Sequence, residues 1–377
     1  MSQRWAWAEI DLRAYASNVR AIVADTTTHG VWAVVKADAY GHGAVECARV
    51  ALDAGAQGLC VALVDEGVAL RREGIAAPIL VMSEQPPDEH RAIVANGLIA
   101  TVYNESTIDS LARVATELEI SCSVHLKVDT GMHRVGVSAH DVVARAKRVL
   151  AEPWLSLDGI YSHLATADDS SRNDVTERQA RTFAAVLNDL KDAGIEVPSR
   201  HLENSAGALR HVAEILRLDS RVGIATYGIA GDAATNSFGG NVSVTLSPVM
   251  SLKARVSHVQ VLDAGEAVSY GLRRPLTQRS TIATLPLGYA DGVRRGLWEE
   301  GEVLIGGKRR RFAGVITMDQ VMVDCGSDTV AIGDEAVLIG TQGTETIGAN
   351  DWARLLGTIG YEVTCGISAR IPRVYLR

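Results

Sequence analysis

Val31-Trp32-Ala33-Val34-Val35-Lys36-Ala37-Asp38-Ala39-Tyr40-Gly41-His42-Gly43 decides how the rest of the chain is read, because an apolar run is stopped in it by a lysine and then by two glycines. The first five residues are β-branched or aromatic apart from one alanine, the make-up of a strand buried on both faces. Gly41 and Gly43 end the run, and residues 44–56 space their apolar side chains as a helix does, so Lys36 closes a strand that feeds a helix. In parallel α/β architectures that end of the strand faces the active site. An amine there is either a satisfied structural ammonium or a reactive group, since partial desolvation makes it lose its proton more easily and lets it form a Schiff base.

Outward from Lys36 the same rhythm recurs. Apolar runs at 31–36, 58–63, 78–82, 99–103, 122–129, 157–164, 200–204 and 221–226 alternate with helix-like stretches or short crossovers. Parallel strands need right-handed crossovers, and eight such units predict a closed (β/α)₈ TIM barrel rather than an open sheet. Ahead of the barrel, residues 5–12 alternate like a strand and 12–24 read as an amphipathic helix. Further helices are predicted from Asn104 and across 173–194. Residues 231–240 are polar and glycine-containing, and strand-like runs follow at 242–246, 249–261, 281–287, 302–305, 312–323 and 335–339, with one short helix at 347–356. These predict a C-terminal mainly β domain, 239–377, after a barrel domain, 1–238. The basic cluster from Lys308 to Arg311 reads as a solvated hairpin turn, because Gly306 and Gly307 precede it.

With 377 residues, 47% of them hydrophobic, the chain can fill a large core and a smaller one. A net charge of −8 with no long polybasic block argues against a nucleic-acid surface. No apolar run is long enough to cross a bilayer, and Met1 to Glu9 lacks the apolar core of a signal peptide. The five cysteines are odd in number and widely spaced without C-x-x-C pairs, which predicts buried thiols in a reducing compartment, the cytoplasm, rather than disulfides or a metal site. The G-x-G at Gly41 and Gly43 has no third glycine in register and does not indicate a dinucleotide fold.

The K-A-D-A-Y-G-H-G string that begins at Lys36 resembles the cofactor-lysine motif of alanine racemases, which use pyridoxal 5'-phosphate, and the resemblance runs from Trp5 to the C-terminus and implies that residues 5–11 pair with the second domain. It implies that Lys36 holds the cofactor aldehyde and serves as one catalytic base. H-x-x-N-S-A and R-x-G-I-x-x-Y-G are family-like strings that place Ser205, Gly223 and Ile224 at the cofactor phosphate, with Tyr40 and Tyr361. Backbone N–H groups at helix starts favour anions, although Ser205 alone is equally an ordinary helix cap. The resemblance sets Arg221 against the pyridine nitrogen, where a guanidinium restrains the electron sink because its pKa is too high to give up a proton.

Racemisation needs a proton removed on one face of the α-carbon and returned on the other. The segment Ala267-Val268-Ser269-Tyr270-Gly271 resembles the one bearing the second base, Tyr270, and His163 matches the histidine linking that tyrosine to Arg221. A phenol near pKa ~10 needs adjacent positive charge to act as a base. The family pairs its protomers head to tail, which implies a homodimer in which Tyr270 serves the partner's site. In K-V-D-T-G-M-x-R, Arg134 matches the contact to the substrate carboxylate and Lys127 a lysine often carbamylated; Met318 and Asp319 resemble the lining of the partner's substrate entrance. Glu203, before Asn204, departs from the small neutral residue expected there. Read without the resemblance, Arg221 is a surface or paired charge, His163 a satisfied strand histidine, Tyr270 a core or interface aromatic, and Met318-Asp319 a turn.

The resemblance therefore implies interconversion of L- and D-alanine, supplying D-alanine for peptidoglycan. A decarboxylase on the same plan is the competing enzyme, and Arg221 in place of a carboxylate speaks against it. A non-catalytic carrier of the cofactor is disfavoured by the added β domain with Tyr270.

Overall fold

The computed structural model describes residues 4–26, 30–212, 216–231, 237, 242 and 244–377. Its first half contains β1 (Ala6–Asp11), β2 (Val31–Val34), β3 (Gly58–Val61), β4 (Ile79–Val81), β5 (Ala100–Val102), β6 (Cys122–Asp129), a two-residue β7 (Val137–Ser138), β8 (Leu155–Tyr161), β9 (Ser199–Glu203) and β10 (Asp219–Val222). Every residue of β2, β3, β4 and β5 is buried. That is the signature of strands covered on both faces. Parallel pairing runs β4-β3-β2-β10-β9-β8-β6-β5, and an isolated parallel bridge between Leu80 and Ile99 brings the two ends together. The result is the eight-stranded parallel barrel, with β7 an appendage on β6.

Helices pack outside it where the apolar spacing predicts them. Leu12–Asp25 starts on Asp11, whose carboxylate accepts from the backbone N–H of Arg13 and Ala14 at 2.9 Å each. Glu105–Leu118 follows Asn104, and Asn173–Asp192 runs for five turns.

The second half is β11 (Met250–Arg255), β12 (His258–Leu262), β13 (Ser280–Leu285), β14 (Glu302–Ile305), β15 (Lys308–Arg311), β16 (Val321–Asp324), β17 (Glu335–Gln342), β18 (Glu345–Ile347) and β19 (Arg373–Leu376). One sheet has the order β15-β14-β17-β11-β1-β19, so β1 pairs with strands of this half, antiparallel to β11 and parallel to β19. A three-stranded sheet, β12-β13-β16, stands beside it.

Five local readings differ from the sequence pattern. The run 249–261 is two strands, because the chain changes sheets at Val256 and Ser257, whose N–H groups bond Asp334 and Thr284. The run 312–323 is strand only from Val321; Phe312, Ala313, Val315 and Ile316 are buried without a regular ladder, and Thr317 to Gln320 is a turn. Lys308–Arg311 is the edge strand β15, and the turn is Gly306-Gly307, both with positive φ. Charges on an edge strand discourage pairing with another chain. Val242 and residues 244–246 form no strand; the neighbouring Ser247 bonds the Asn18 side chain through both its backbone groups, and Ser243 lies outside the described residues. A second short helix, Gly360–Cys365, follows Ala349–Leu356, too brief to show an apolar period. The boundary placed at residue 238 also lies outside the described residues.

Candidate active site

A cavity of about 750 Å³ opens at the C-terminal ends of the barrel strands, and the helix Gly360–Cys365 contributes to its wall from the second half of the chain. Lys36, Tyr40, Lys127, Arg134, His163, Ser205, Arg221, Gly223, Ile224 and Tyr361 all line it. Each follows from strand geometry: inward side chains alternate, so Lys127 on β6 and Arg221 on β10 point into the barrel, and residues just past a strand end ring its mouth.

Lys36 opens an unusual turn. Ala37, Asp38, Ala39 and Tyr40 have φ of 53, 52, 54 and 54°, four consecutive left-handed residues, none of them glycine. Such a conformation costs roughly 1–2 kcal/mol per residue. Specific bonds hold it: Ala37 N–H donates to Glu66 Oε1 at 2.6 Å, Ala44 N–H to Asp38 Oδ1 at 2.8 Å, and Arg373 Nε to the Gly41 carbonyl at 3.0 Å. His42 Nδ1 lies 2.9 and 3.0 Å from the carbonyls of Ala39 and Tyr40, so it carries the proton that both accept. Gly41 permits the close approach of the wall helix; a Cβ there would stand 2.4 Å from the Thr364 carbonyl oxygen. Burial, then the Arg134 guanidinium, lowers the Lys36 pKa from its ordinary value, while Glu66 opposes that shift.

Arg221 is 3% exposed. Its Nη2 donates to the Ser162 carbonyl at 2.6 Å and to His163 Nδ1 at 3.2 Å, while Nη1 has no hydrogen-bond partner among the described residues. Because a guanidinium only donates, His163 Nδ1 accepts and the imidazole proton sits on Nε2. Burial and the surrounding cations Arg221, Arg134, Lys127 and Lys36 push the His163 pKa well below its ordinary value, which keeps that ring neutral. Beneath these groups lies Tyr161, which the sequence reading passed over although it opens the string containing His163. Its ring centroid is 4.8 Å from the Arg221 guanidinium and 5.4 Å from Lys127 Nζ. Its hydroxyl bonds Thr101 at 2.8 Å and the Met82 carbonyl at 2.9 Å. Lys127 is 6% exposed, and burial with Arg134 and Arg221 brings its pKa down to about 8.

Across the cavity, Ser205 Oγ accepts from the N–H groups of Gly223 at 3.1 Å and Ala225 at 3.3 Å, leaving its own proton to give. A Cβ on Gly223 would stand 2.4 Å from the Tyr40 hydroxyl, so only glycine leaves this cradle open. Burial raises the pKa of Tyr40 and Tyr361 and keeps both phenols as donors. Hydroxyl and backbone donors gathered here suit an anion. Glu203 is buried, accepts from the Ser220 hydroxyl at 2.8 Å, and is not a lining residue of the cavity.

Three predicted residues lie elsewhere. Tyr270 is 76% exposed and Met318 52%, while Asp319 pairs with Arg370 at 2.6 Å; all belong to the second half of the chain. Sequence reading also missed Glu66, whose position three residues into a helix signals a cap and nothing more, and Cys365, which lines the cavity and is exposed where buried thiols were expected. The other four cysteines are buried. No helix among the described residues is long and apolar enough to cross a membrane.

Comparison with known proteins gives the same picture over the whole length. Residues 10–231 match the family model described as alanine racemase, N-terminal domain, and 249–375 the C-terminal domain. A protein named alanine racemase from Symbiobacterium thermophilum is 42% identical, covering 99% of this chain and 97% of its own. The crystal structure of alanine racemase from Bacillus anthracis with bound L-Ala-P superposes with a TM-score of 0.92 at 36% identity, covering 100% of this chain and 96% of that one. A histidine racemase from Leuconostoc mesenteroides has the same TM-score, 0.92, at 27% identity, covering 100% and 99%.

Proposed function

The chain belongs to the alanine racemase family, and from that premise we propose that it interconverts L- and D-alanine by two-base chemistry on pyridoxal 5'-phosphate, in a homodimer that completes each site. The single observation carrying the cofactor assignment is Arg221, buried in the cavity with Nη1 unpartnered among the described residues. A nitrogen heterocycle gives that N–H an acceptor, and a guanidinium leaves the ring nitrogen unprotonated. The rest of the donor set fits: Lys36 for the aldehyde, and Ser205, Gly223, Ile224, Tyr40 and Tyr361 for the phosphate. Bound there, the cofactor supplies the electron sink that makes the α-proton of an amino acid removable.

Lys36 Nζ, desolvated and beside Arg134, takes or returns the proton on one face. Tyr270 of the partner subunit does so on the other. His163 supports the phenol: with Nδ1 occupied by Arg221, its Nε2–H is the donor available to a phenolate oxygen. Arg134 binds the substrate carboxylate, and Met318 and Asp319 of the partner subunit line the entrance. Burial beside Arg134 and Arg221 brings the Lys127 pKa down to about 8, which makes the neutral amine easier to form. That amine can add carbon dioxide, releasing one proton, to become an anionic carbamate that orients Arg134. The product serves as D-alanine for peptidoglycan.

The histidine racemase, equally close in fold, shows that the fold alone does not choose the side chain. Alanine rests on the relatives of higher identity. Purified protein should bind pyridoxal phosphate with a visible absorbance and abolish the optical rotation of L-alanine. Lys36→Ala should lose both. Racemisation that survives in Lys36→Ala breaks the proposal, and carbon dioxide release from a basic amino acid would point to the decarboxylase.

A further inference from the structure

Glu66 looks at first like a helix cap. It is the third residue of the helix Val64–Arg72, and its Oε2 accepts from the N–H of Ala62 at 2.8 Å and of Leu63 at 3.1 Å. A cap needs no more than that. The other oxygen does something a cap does not require: Oε1 leaves its own helix and takes the N–H of Ala37 at 2.6 Å. That amide belongs to the peptide bond immediately after Lys36. One carboxylate therefore staples the end of β3 to the end of β2, at the residue where the chain leaves its strand and turns left-handed.

We propose that Glu66 is a positioning residue for Lys36, fixing the Lys36–Ala37 peptide plane so that the amine enters the cavity from one direction. The inference rests on Lys36 being the reactive amine proposed above. Ala37 to Tyr40 hold a conformation that L-residues avoid, so the turn persists only where its surroundings over-determine it. Its far end has Asp38, His42 and Arg373 for that purpose. Its near end, at the first peptide after Lys36, has Glu66. Glu66 is not a lining residue of the cavity, so it acts through Lys36 and not on the substrate. A misplacement of about 1 Å at a reacting group can lower a rate by roughly a hundredfold.

Glu66→Gln separates the two roles. A glutamine has a single acceptor oxygen, and the cap, with two N–H groups, retains it, turning the side-chain NH₂ against the Ala37 N–H. Amide hydrogen exchange on the full chain should show Ala37 exchanging at least about tenfold faster than in the parent while Leu63 keeps its protection. Turnover of alanine should fall by roughly ten- to a hundredfold. Unchanged Ala37 exchange together with unchanged turnover would reduce Glu66 to a cap and overturn the inference. Should the variant fail to fold, the parent decides alone: an unprotected Ala37 amide contradicts the staple, a protected one supports it. Because exchange is read at Ala37 and not through activity, this result stands apart from Lys36→Ala, whose failure would remove the reaction and leave the staple.

Discussion

Lys36 and Tyr270 are proposed to face the same carbon, and one chain prepares them in opposite ways. Lys36 is partly desolvated, bracketed by Glu66 and His42 in a turn secured at both ends, and shares its cavity with Arg134, Lys127 and Arg221. Tyr270 stands 76% exposed between Ser269 and Gly271, both at positive φ, and what fixes its segment is a bond from Ser269 Oγ to the Val315 carbonyl at 2.6 Å. Burial has already altered the amine. The phenol lies open at the surface of the second half, while Arg134, Lys127 and Arg221 line the barrel cavity. The difference is the one expected of the proposed homodimer, in which one protomer supplies the prepared amine and its partner the exposed phenol.

The largest test of that asymmetry mixes two dead variants. Lys36→Ala and Tyr270→Phe chains, each expected to lose at least about a hundredfold in turnover, are unfolded together and refolded as an equal mixture. Half of the dimers then carry one chain of each kind. In those, one site receives both defects and the other receives neither, so about a quarter of the parent activity should return. If each site were built within a single chain, mixing would restore nothing, and the assignment of Tyr270 to the partner subunit would be wrong.

A second contrast lies in titration. Nine of the ten histidines are at residue 211 or earlier, and only His258 belongs to the second half. His42, His125 and His201 are buried, and burial is the main cause lowering each: His42 and His125 to about 4, His201 well below its ordinary value. The unfolded chain binds protons at these rings from about pH 6.5 downward while the folded chain refuses them. Folded stability is therefore present above pH 6.5 and lost as pH falls towards 4, by about 1 kcal/mol per pH unit for each histidine. Urea unfolding at pH 7, 6 and 5 should show the barrel losing stability before the β domain. His125→Gln should lessen the slope by one proton's worth, and a slope that ignores the substitution would remove buried histidines as its cause.

The barrel was legible because its strands are apolar on both faces: Cys122–Asp129 has the bounds its pattern predicts, and the other seven differ by a few residues at their ends. The β domain was less so, since an apolar run such as 249–261 does not announce where the chain changes sheets. Ten of the proposed site residues meet in one cavity, and all ten had been picked out by strings resembling the family's, most of them near strand ends and Tyr361 in the second half of the chain. What stayed hidden were supports acting across elements. Nothing in Ala37-Asp38-Ala39-Tyr40 signals a left-handed turn, because none of these is glycine and the stabilising contacts come from Glu66, Ala44 and Arg373. Tyr161 was hidden likewise, as its partners come from β5, β6, β10 and the end of β4.

Tyr161 gives the finest comparison, since each half of the chain stacks two cations on one aromatic ring. Arg273 and Arg274 approach Trp298 at 5.9 and 5.3 Å on the solvent side of the β domain, whereas Lys127 and Arg221 approach Tyr161 in the barrel. Exposed contacts of this kind are worth about 0.5–1 kcal/mol and desolvated ones about 2 or more. Tyr161→Phe keeps the ring face and removes the hydroxyl; Thr101 still bonds the Val81 carbonyl at 2.6 Å, so only the contact to Met82 is lost without replacement. Its cost should be about 1 kcal/mol in urea unfolding, with turnover close to the parent. Tyr161→Leu removes the face as well, and the two buried cations then repel across an aliphatic side chain. It should lose about 2 kcal/mol more than the phenylalanine variant and lower the Lys127 pKa further, seen as faster modification of that amine near pH 7. Equal behaviour of the two variants would mean that the ring only fills space and that Arg221 and Lys127 are held by their other neighbours.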